Sequence, residues 1–190
     1  MNIKAFKQNL LDKLYEPYKQ CMQCPLEALG RTNVVFGEGD PDARIMFVGE
    51  GPGKEEDKQN RPFIGRSGKL LTQTLTGLGI KREDVYITNV VKCRPPNNRN
   101  PLPTESTTCK NLLLFNQIKI INPTTIVTLG LIALQAFQKK KVPLSSVRGT
   151  VITAHNTNLV PTYHPAYILR SAKKRPDFIE DIKLALETTK

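Results

Sequence analysis

The segment that most constrains the fold is Ile45-Met-Phe-Val-Gly-Glu-Gly-Pro-Gly53. Its four apolar residues run straight into glycine turns, the pattern of a short strand buried on both faces, as in a parallel sheet. Open α/β sheets bind ligands beyond the carboxyl ends of their strands. Glycines there let backbone N–H groups approach a bound molecule closely. Val48–Gly53 is therefore a candidate active-site floor, with the carboxylate of Glu50 in its middle; the plain alternative is an ordinary strand-to-loop turn.

Around this strand the pattern alternates. Ile3, Phe6, Leu10, Leu11, Leu14 and Tyr18 recur at helical spacing and predict a helix over 2–20 with one apolar face. Residues 26–44 read as loop with a short strand at Val34–Phe36, and Lys54–Arg66 as a polar loop. A helix capped by Ser67 is expected to run to Gly77, then a strand at Val85–Val91 and an irregular proline-rich run, Arg94–Pro103. A helix from Thr104 to Ile121 follows, then a strand at Thr125–Leu129, a helix over 131–138 and a solvated turn at Lys139-Lys-Lys141. An added β segment at Val151–Ala154, a strand at Leu159–Tyr163 and a last helix after Pro176 complete the chain. This order predicts an α/β sandwich with a mainly parallel sheet. Three loops then leave the carboxyl ends of the strands together, carrying Glu50–Gly53, Asn89–Arg94 and His164–Pro165. With 190 residues and neither repeat nor low-complexity linker, one domain over 1–190 is expected.

The formal net charge of +11 points to a polyanionic partner, nucleic acid before an anionic membrane surface. No apolar run nears the roughly 20 residues that span a bilayer, and no signal-peptide core precedes the first helix, so a cytoplasmic location is expected.

Four cysteines occur, at 21, 24, 93 and 109. Cys21-Met-Gln-Cys24 has a metal-ligand spacing, while Cys93 and Cys109 are too far apart to form the second close pair of a usual zinc site. A [4Fe–4S] cluster takes four thiolates at scattered spacing. Cluster, zinc and buried inert thiols all stay open on spacing alone. Other motifs fail. Gly53-Lys54 lacks the leading glycine and the Ser or Thr of a phosphate-binding loop, and no G-x-S-x-G occurs. Of two histidines, His155 reads as a strand or turn residue without a functional role, whereas His164 follows a buried strand and precedes Pro165.

Gly49-Glu-Gly-Pro-Gly53, Arg61-Pro-Phe-Ile-Gly65, Asn89-Val-Val-Lys-Cys-Arg-Pro-Pro-Asn-Asn-Arg99 and His164-Pro-Ala166 together resemble the family 4 (iron–sulfur) uracil-DNA glycosylases, over about residues 10 to 180. The resemblance implies a three-layer α/β/α fold around a four-stranded parallel sheet. It implies hydrolysis of the N-glycosidic bond of deoxyuridine in single- or double-stranded DNA, the opening step of base-excision repair. It also implies a [4Fe–4S] cluster on Cys21, Cys24, Cys93 and Cys109. The uracil pocket would comprise Glu50, Gly51, Pro52, Phe63, Asn89 and His164. Phe63 would stack on the flipped base, Asn89 would read its Watson–Crick edge, and His164 would donate to O2.

Better-known uracil glycosylases place an Asp where Gly51 stands and a Tyr where Gly53 stands. Water handling then falls to Glu56, with Glu50 shaping the pocket, and exclusion of thymine to Glu56 or the packing around Phe63. Leu169 or Arg170 would enter the duplex where the base has left. Lys92, Arg94, Arg99, Lys173, Lys174 and Arg175 would contact phosphates. The expected protein is a monomer without a membrane partner. Its rivals are a non-catalytic iron–sulfur nucleic-acid-binding module and a glycosylase that also accepts hypoxanthine.

Overall fold

The computed structural model describes residues 2–138, 142–154 and 157–189. The expectations for Lys139–Lys141 and His155 lie outside those residues. In chain order the strands are β1 (Glu38–Gly39), β2 (Ile45–Gly49), β3 (Tyr86–Asn89), β4 (Thr125–Leu129), β5 (Ile152–Ala154) and β6 (Thr157–Thr162). The helices are α1 (Ile3–Tyr15), α2 (Lys54–Gln59), α3 (Arg66–Gly77), α4 (Pro103–Cys109), α5 (Phe115–Ile121), α6 (Leu131–Phe137), α7 (Leu144–Val147), α8 (Pro165–Arg170) and α9 (Arg175–Glu187).

Among the described residues the sheet has six strands in the order β1-β3-β2-β4-β6-β5. The expected four parallel strands, β3, β2, β4 and β6, form its centre. Short antiparallel pieces extend both edges: β1 beside β3 and β5 beside β6. An edge piece of two residues leaves little unpaired backbone to recruit another chain.

Strand alternation divides the core between two faces. Met46, Val48, Tyr86, Ile126 and Leu159 pack on one face with Leu11, Leu113, Leu114 and Ile121. Ile45, Phe47, Ile87, Val127 and Val160 pack on the other with Leu71, Leu75, Phe178 and Ile182. Helices therefore cover both sides of the sheet, which makes three layers.

Several local expectations are corrected. Val34–Phe36 is not a strand; the edge strand lies two residues later. Lys54–Arg66 is not all loop, because α2 occupies its first half. That segment lacks apolar periodicity, but Glu55, Glu56 and Asp57 fill the first turn, where the helix dipole favours carboxylates. Asp57 is buried and accepts from the backbone N–H groups of Thr32 and Asn33, which docks the helix. The apolar stripe of α1 is only partly used: Leu11 is buried, while Ile3 and Phe6 are more than half exposed. The helix expected over 104–121 runs from Pro103 through Ile121, but Lys110–Leu114 widens into a π-turn between α4 and α5.

Candidate active site

The loops leaving β2, β3 and β6 converge on a cleft of about 570 Å³ at the carboxyl edge of the sheet. Glu50, Gly51, Pro52, Phe63, Asn89 and His164 all line it, as does Glu56. The β2 and β3 loops are laced together, Val90 N–H donating to the Gly49 carbonyl and Val91 N–H to that of Glu50.

Asn89 is buried at the end of β3, and its Oδ1 has no protein partner. A buried acceptor without a partner is costly, so one facing a cleft is a place prepared for a ligand donor. The space in front of it exists because residue 49 is glycine: a Cβ there would lie 2.5 Å from Asn89 Oδ1 and would also strike the Phe63 ring.

Phe63 is buried with φ of +50°, a left-handed conformation that bulky residues rarely adopt. Three groups hold it there. Arg82 donates to the Pro62 carbonyl, and Glu56 Oε1 accepts the N–H groups of Ile64 (3.0 Å) and Gly65 (2.8 Å). The Phe63 carbonyl packs against the backbone of Gly68, where any Cβ would collide with it.

His164 caps α8. Its Nδ1 accepts the Ala166 N–H at 3.1 Å, which leaves the ring proton on Nε2. Burial, with the nearby Arg170 charge adding, pushes its pKa down to about 4, so the ring is a neutral donor at physiological pH. Its ring centre lies 5.8 Å from that of Phe63.

The two carboxylates differ. Glu56 is tied to the Ile64 and Gly65 amides, and its Oε2 lies 2.8 Å from the point a Cβ on Gly53 would occupy. It thus fills the space of a side chain at 53. Glu50 is only partly buried, and desolvation raises its pKa. At Gly51 an added Cβ would fall 2.7 Å from Val91 Cγ2, so a larger residue there would have to displace Val91.

The expected wedge pair splits. Arg170 lines the cleft, while Leu169 is 43% exposed beside it. Tyr167, which the motifs did not single out, also lines the cleft and packs on Tyr163. Helical spacing could have found it: His164, Tyr167 and Arg170 step by three and share one face of α8. Arg66, Ser67, Asn98 and Asn100 complete the rim.

One expected phosphate contact is corrected. Lys92 is completely buried, its ammonium donating to Thr88 Oγ1, the Asn89 carbonyl and Gln117 Oε1. Arg99 lines the cleft and grips the buried Glu105 through both Nη atoms, at 2.9 and 2.7 Å. Lys174 bonds Asp177.

Cys21, Cys24, Cys93 and Cys109 line a single pocket with Leu26, Val34, Leu112 and Leu113. Burial pushes the thiols of Cys93 and Cys109 up to about 12 and about 11, and raises that of Cys24. Among the described residues no three His, Cys, Asp or Glu groups are drawn together tightly enough to hold a single ion. Arg31 reaches this region: its Nη2 donates to the Cys21 carbonyl and its buried Nε has no partner.

With this geometry in place, comparison with known proteins is decisive. Residues 36–187 match the family described as the uracil DNA glycosylase superfamily. The type-4 uracil-DNA glycosylase of Thermotoga maritima is 54% identical over 183 residues, 94% of each chain. The chain belongs to the type-4 uracil-DNA glycosylases. Their member from Pyrobaculum aerophilum is 43% identical over 92% of each chain, and that from Archaeoglobus fulgidus 41% identical over 91% of this chain and 90% of its own. A DNA polymerase of Bacillus phage SP01 is 33% identical over 149 residues, 78% of this chain but only 16% of the polymerase. Among the described residues of this type-4 chain no helix is long and apolar enough to cross a membrane.

Proposed function

We propose that the chain excises uracil from DNA by hydrolysis, with the cleft as the pocket for the flipped base. The observation that carries this reading is the buried, unpartnered Asn89 Oδ1 facing the same space as the neutral His164. Uracil presents N3–H beside two carbonyls. Asn89 accepts from N3–H and donates from its amide to O4, a pairing that cytosine, lacking N3–H, cannot complete. Phe63 supplies the aromatic face on which the base stacks.

Excision breaks the C1′–N1 bond, and the bonding electron pair leaves with the base. Negative charge therefore grows on N1 and O2 as the sugar becomes cationic. The Nε2–H of His164 hydrogen-bonds O2 without giving up its proton, and its low pKa keeps it in that role. A water molecule then adds to C1′ to form the sugar hydroxyl, and the proton it loses passes by way of the carboxylate beside it to the uracil anion, which leaves as neutral uracil. We assign the water's orientation, and support of the sugar cation, to Glu50 rather than Glu56, because Glu56 already holds two backbone amides. Glu56 instead fills the space beside Gly53, close to where a thymine methyl would come, which argues against a pocket that also admits bulkier bases.

Arg170 and Leu169 at the end of α8 suit entry into the vacated stack, and Arg94, Lys173 and Arg175 suit phosphate contact. The four cysteines suit a [4Fe–4S] cluster better than one zinc ion. A single ion draws its thiolates to about 3.8 Å of one another, as Zn–S bonds of about 2.3 Å require, whereas a cluster spreads them. The apolar lining and the unpartnered Arg31 Nε fit a buried anionic group. The cluster would compensate the buried thiolates and tie the segment after α1 to α4.

The test is incubation with a uracil-containing oligonucleotide in EDTA, followed by alkali. Cleavage at the uracil is expected, and its absence refutes the assignment. His164→Ala and Asn89→Ala are each expected to slow excision by roughly 100-fold or more while DNA binding persists.

A further inference from the structure

Lys92 is a buried charged residue that the reaction above does not use. It is enclosed completely. All of its polar groups are engaged. Its backbone N–H donates to Cys109 Sγ at 3.3 Å, and its carbonyl accepts from Val35 N–H at 2.8 Å. Its ammonium has three acceptors: Thr88 Oγ1 at 2.5 Å, Gln117 Oε1 at 2.6 Å and the Asn89 carbonyl at 2.8 Å. Three donors meeting three acceptors saturate the group, so it has little freedom to move.

The acceptors lie on different elements. Thr88 and Asn89 end β3, and Gln117 belongs to α5. Gln117 itself donates to the Phe36 carbonyl, and Thr88 Oγ1 reaches the same atom. The network has no carboxylate. The group in contact with Lys92 that carries negative charge once it is a ligand is Cys109, on the other end of the same residue. Lys92 thus has its main chain on the cysteine pocket and its side chain beneath Asn89.

We propose that Lys92 is a positioning residue for base recognition: by holding the Asn89 carbonyl while bonded to Cys109, it makes the aim of the Asn89 carboxamide depend on the cysteine site. The proposal rests on the reading above, in which Asn89 pairs with uracil and the cysteines hold a cluster. A strand end that hydrogen bonds fix from below keeps the carboxamide in register with the base. Releasing it lets the amide swing by the fraction of an ångström that separates good from poor alignment.

A double-mutant cycle tests this. Single-turnover excision is measured for the unmutated protein, Lys92→Met, Asn89→Ala and the double variant, each with its iron content and visible absorbance. Lys92→Met is expected to keep its iron and lose about 100-fold in rate, the scale of a misplaced catalytic contact. In the Asn89→Ala background the same substitution should cost less than about twofold, because the two residues act as one unit. A merely structural lysine would lower both backgrounds by equal factors, and that result overturns the proposal. So does a Lys92→Met protein that excises at the normal rate. If Lys92→Met does not fold, Lys92→Gln, polar but shorter, takes its place with the same outcomes. Iron loss in proportion to lost activity in both variants also overturns it, since the lysine then serves only the cysteines. An Asn89→Ala protein of normal activity refutes the base-reading role of Asn89 instead, before Lys92 comes into question.

Discussion

At the scale of single residues, the site is defined as much by what glycines leave open as by what side chains supply. Gly49 is the sharpest case, since a methyl group there would occupy the gap between Asn89 Oδ1 and Phe63. Gly49→Ala is expected to lower single-turnover excision by about 100-fold, with a thermal melt showing that the fold survives. Protonation makes a second prediction. Desolvation raises the Glu50 pKa, so kcat/KM should fall as pH drops through a value above the ordinary carboxylate range. Glu50→Gln should be slow throughout and lose that limb. His164 should add no inflection near 6.5, because its folded value lies near 4. That depression has a consequence for stability. The unfolded chain takes up the imidazole proton first, so stability present above pH about 6.5 is lost as pH falls toward 4. Denaturant titrations at pH 7 and pH 5 should show it, and the difference should shrink in His164→Asn.

At the scale of elements, α2 and the turn after it hold the aromatic face of the pocket. Glu56 accepts two amide hydrogens from the loop that keeps Phe63 left-handed. Glu56→Ala strands both donors, at a cost of about 1–3 kcal/mol where such groups are buried. Glu56→Gln keeps an acceptor and should lose far less; chemical denaturation of the pair separates the two. The same elements show why some of the architecture could be read from the chain and some not. Strand β2 is a continuous apolar run, and β3, β4 and β6 carry the adjacent apolar pairs Tyr86-Ile87, Ile126-Val127 and Leu159-Val160, a composition that burial on both faces favours. Helix α2 has no apolar stripe because it docks through a buried carboxylate, Asp57, and a hydrophobic pattern carries no trace of such a contact. Asn89 and His164 could be placed from their positions after strands. The buried fate of Lys92 could not, because a lysine between Val91 and Cys93 reads the same whether its amine meets water or three protein oxygens. The outer half of α1 misled in the opposite sense: its stripe continues to Ile3 and Phe6, but the core does not reach them.

At the scale of the whole molecule, the +11 charge and the cysteine pocket act over distances that no single contact spans. DNA affinity should fall steeply with salt, and each lost phosphate contact should flatten the log–log slope by about 0.9; Lys173→Ala and Arg175→Ala are the variants to measure, with Lys92→Gln leaving the slope unchanged. Removal of iron from the purified protein should lower its melting temperature, since four ligands would join residues 21 and 24 to residues 93 and 109. Calorimetry before and after chelation checks this. The π-turn at Lys110–Leu114 bears on both sites at once. Cys109 and Gln117 are eight residues apart, and at about 100° per residue a regular helix would point them about 80° away from each other. A π-turn absorbs one residue without advancing the rotation, which brings the offset to about 20°. Both side chains can then meet Lys92, one at its amide and one at its ammonium. The bulge therefore works as a phase shifter. Relaxing the bulge to a regular helix at unchanged length would set the cysteine and the glutamine about 80° apart, whereas deleting Asn111 as well would leave them seven steps apart, about 20° from alignment, and keep them in step.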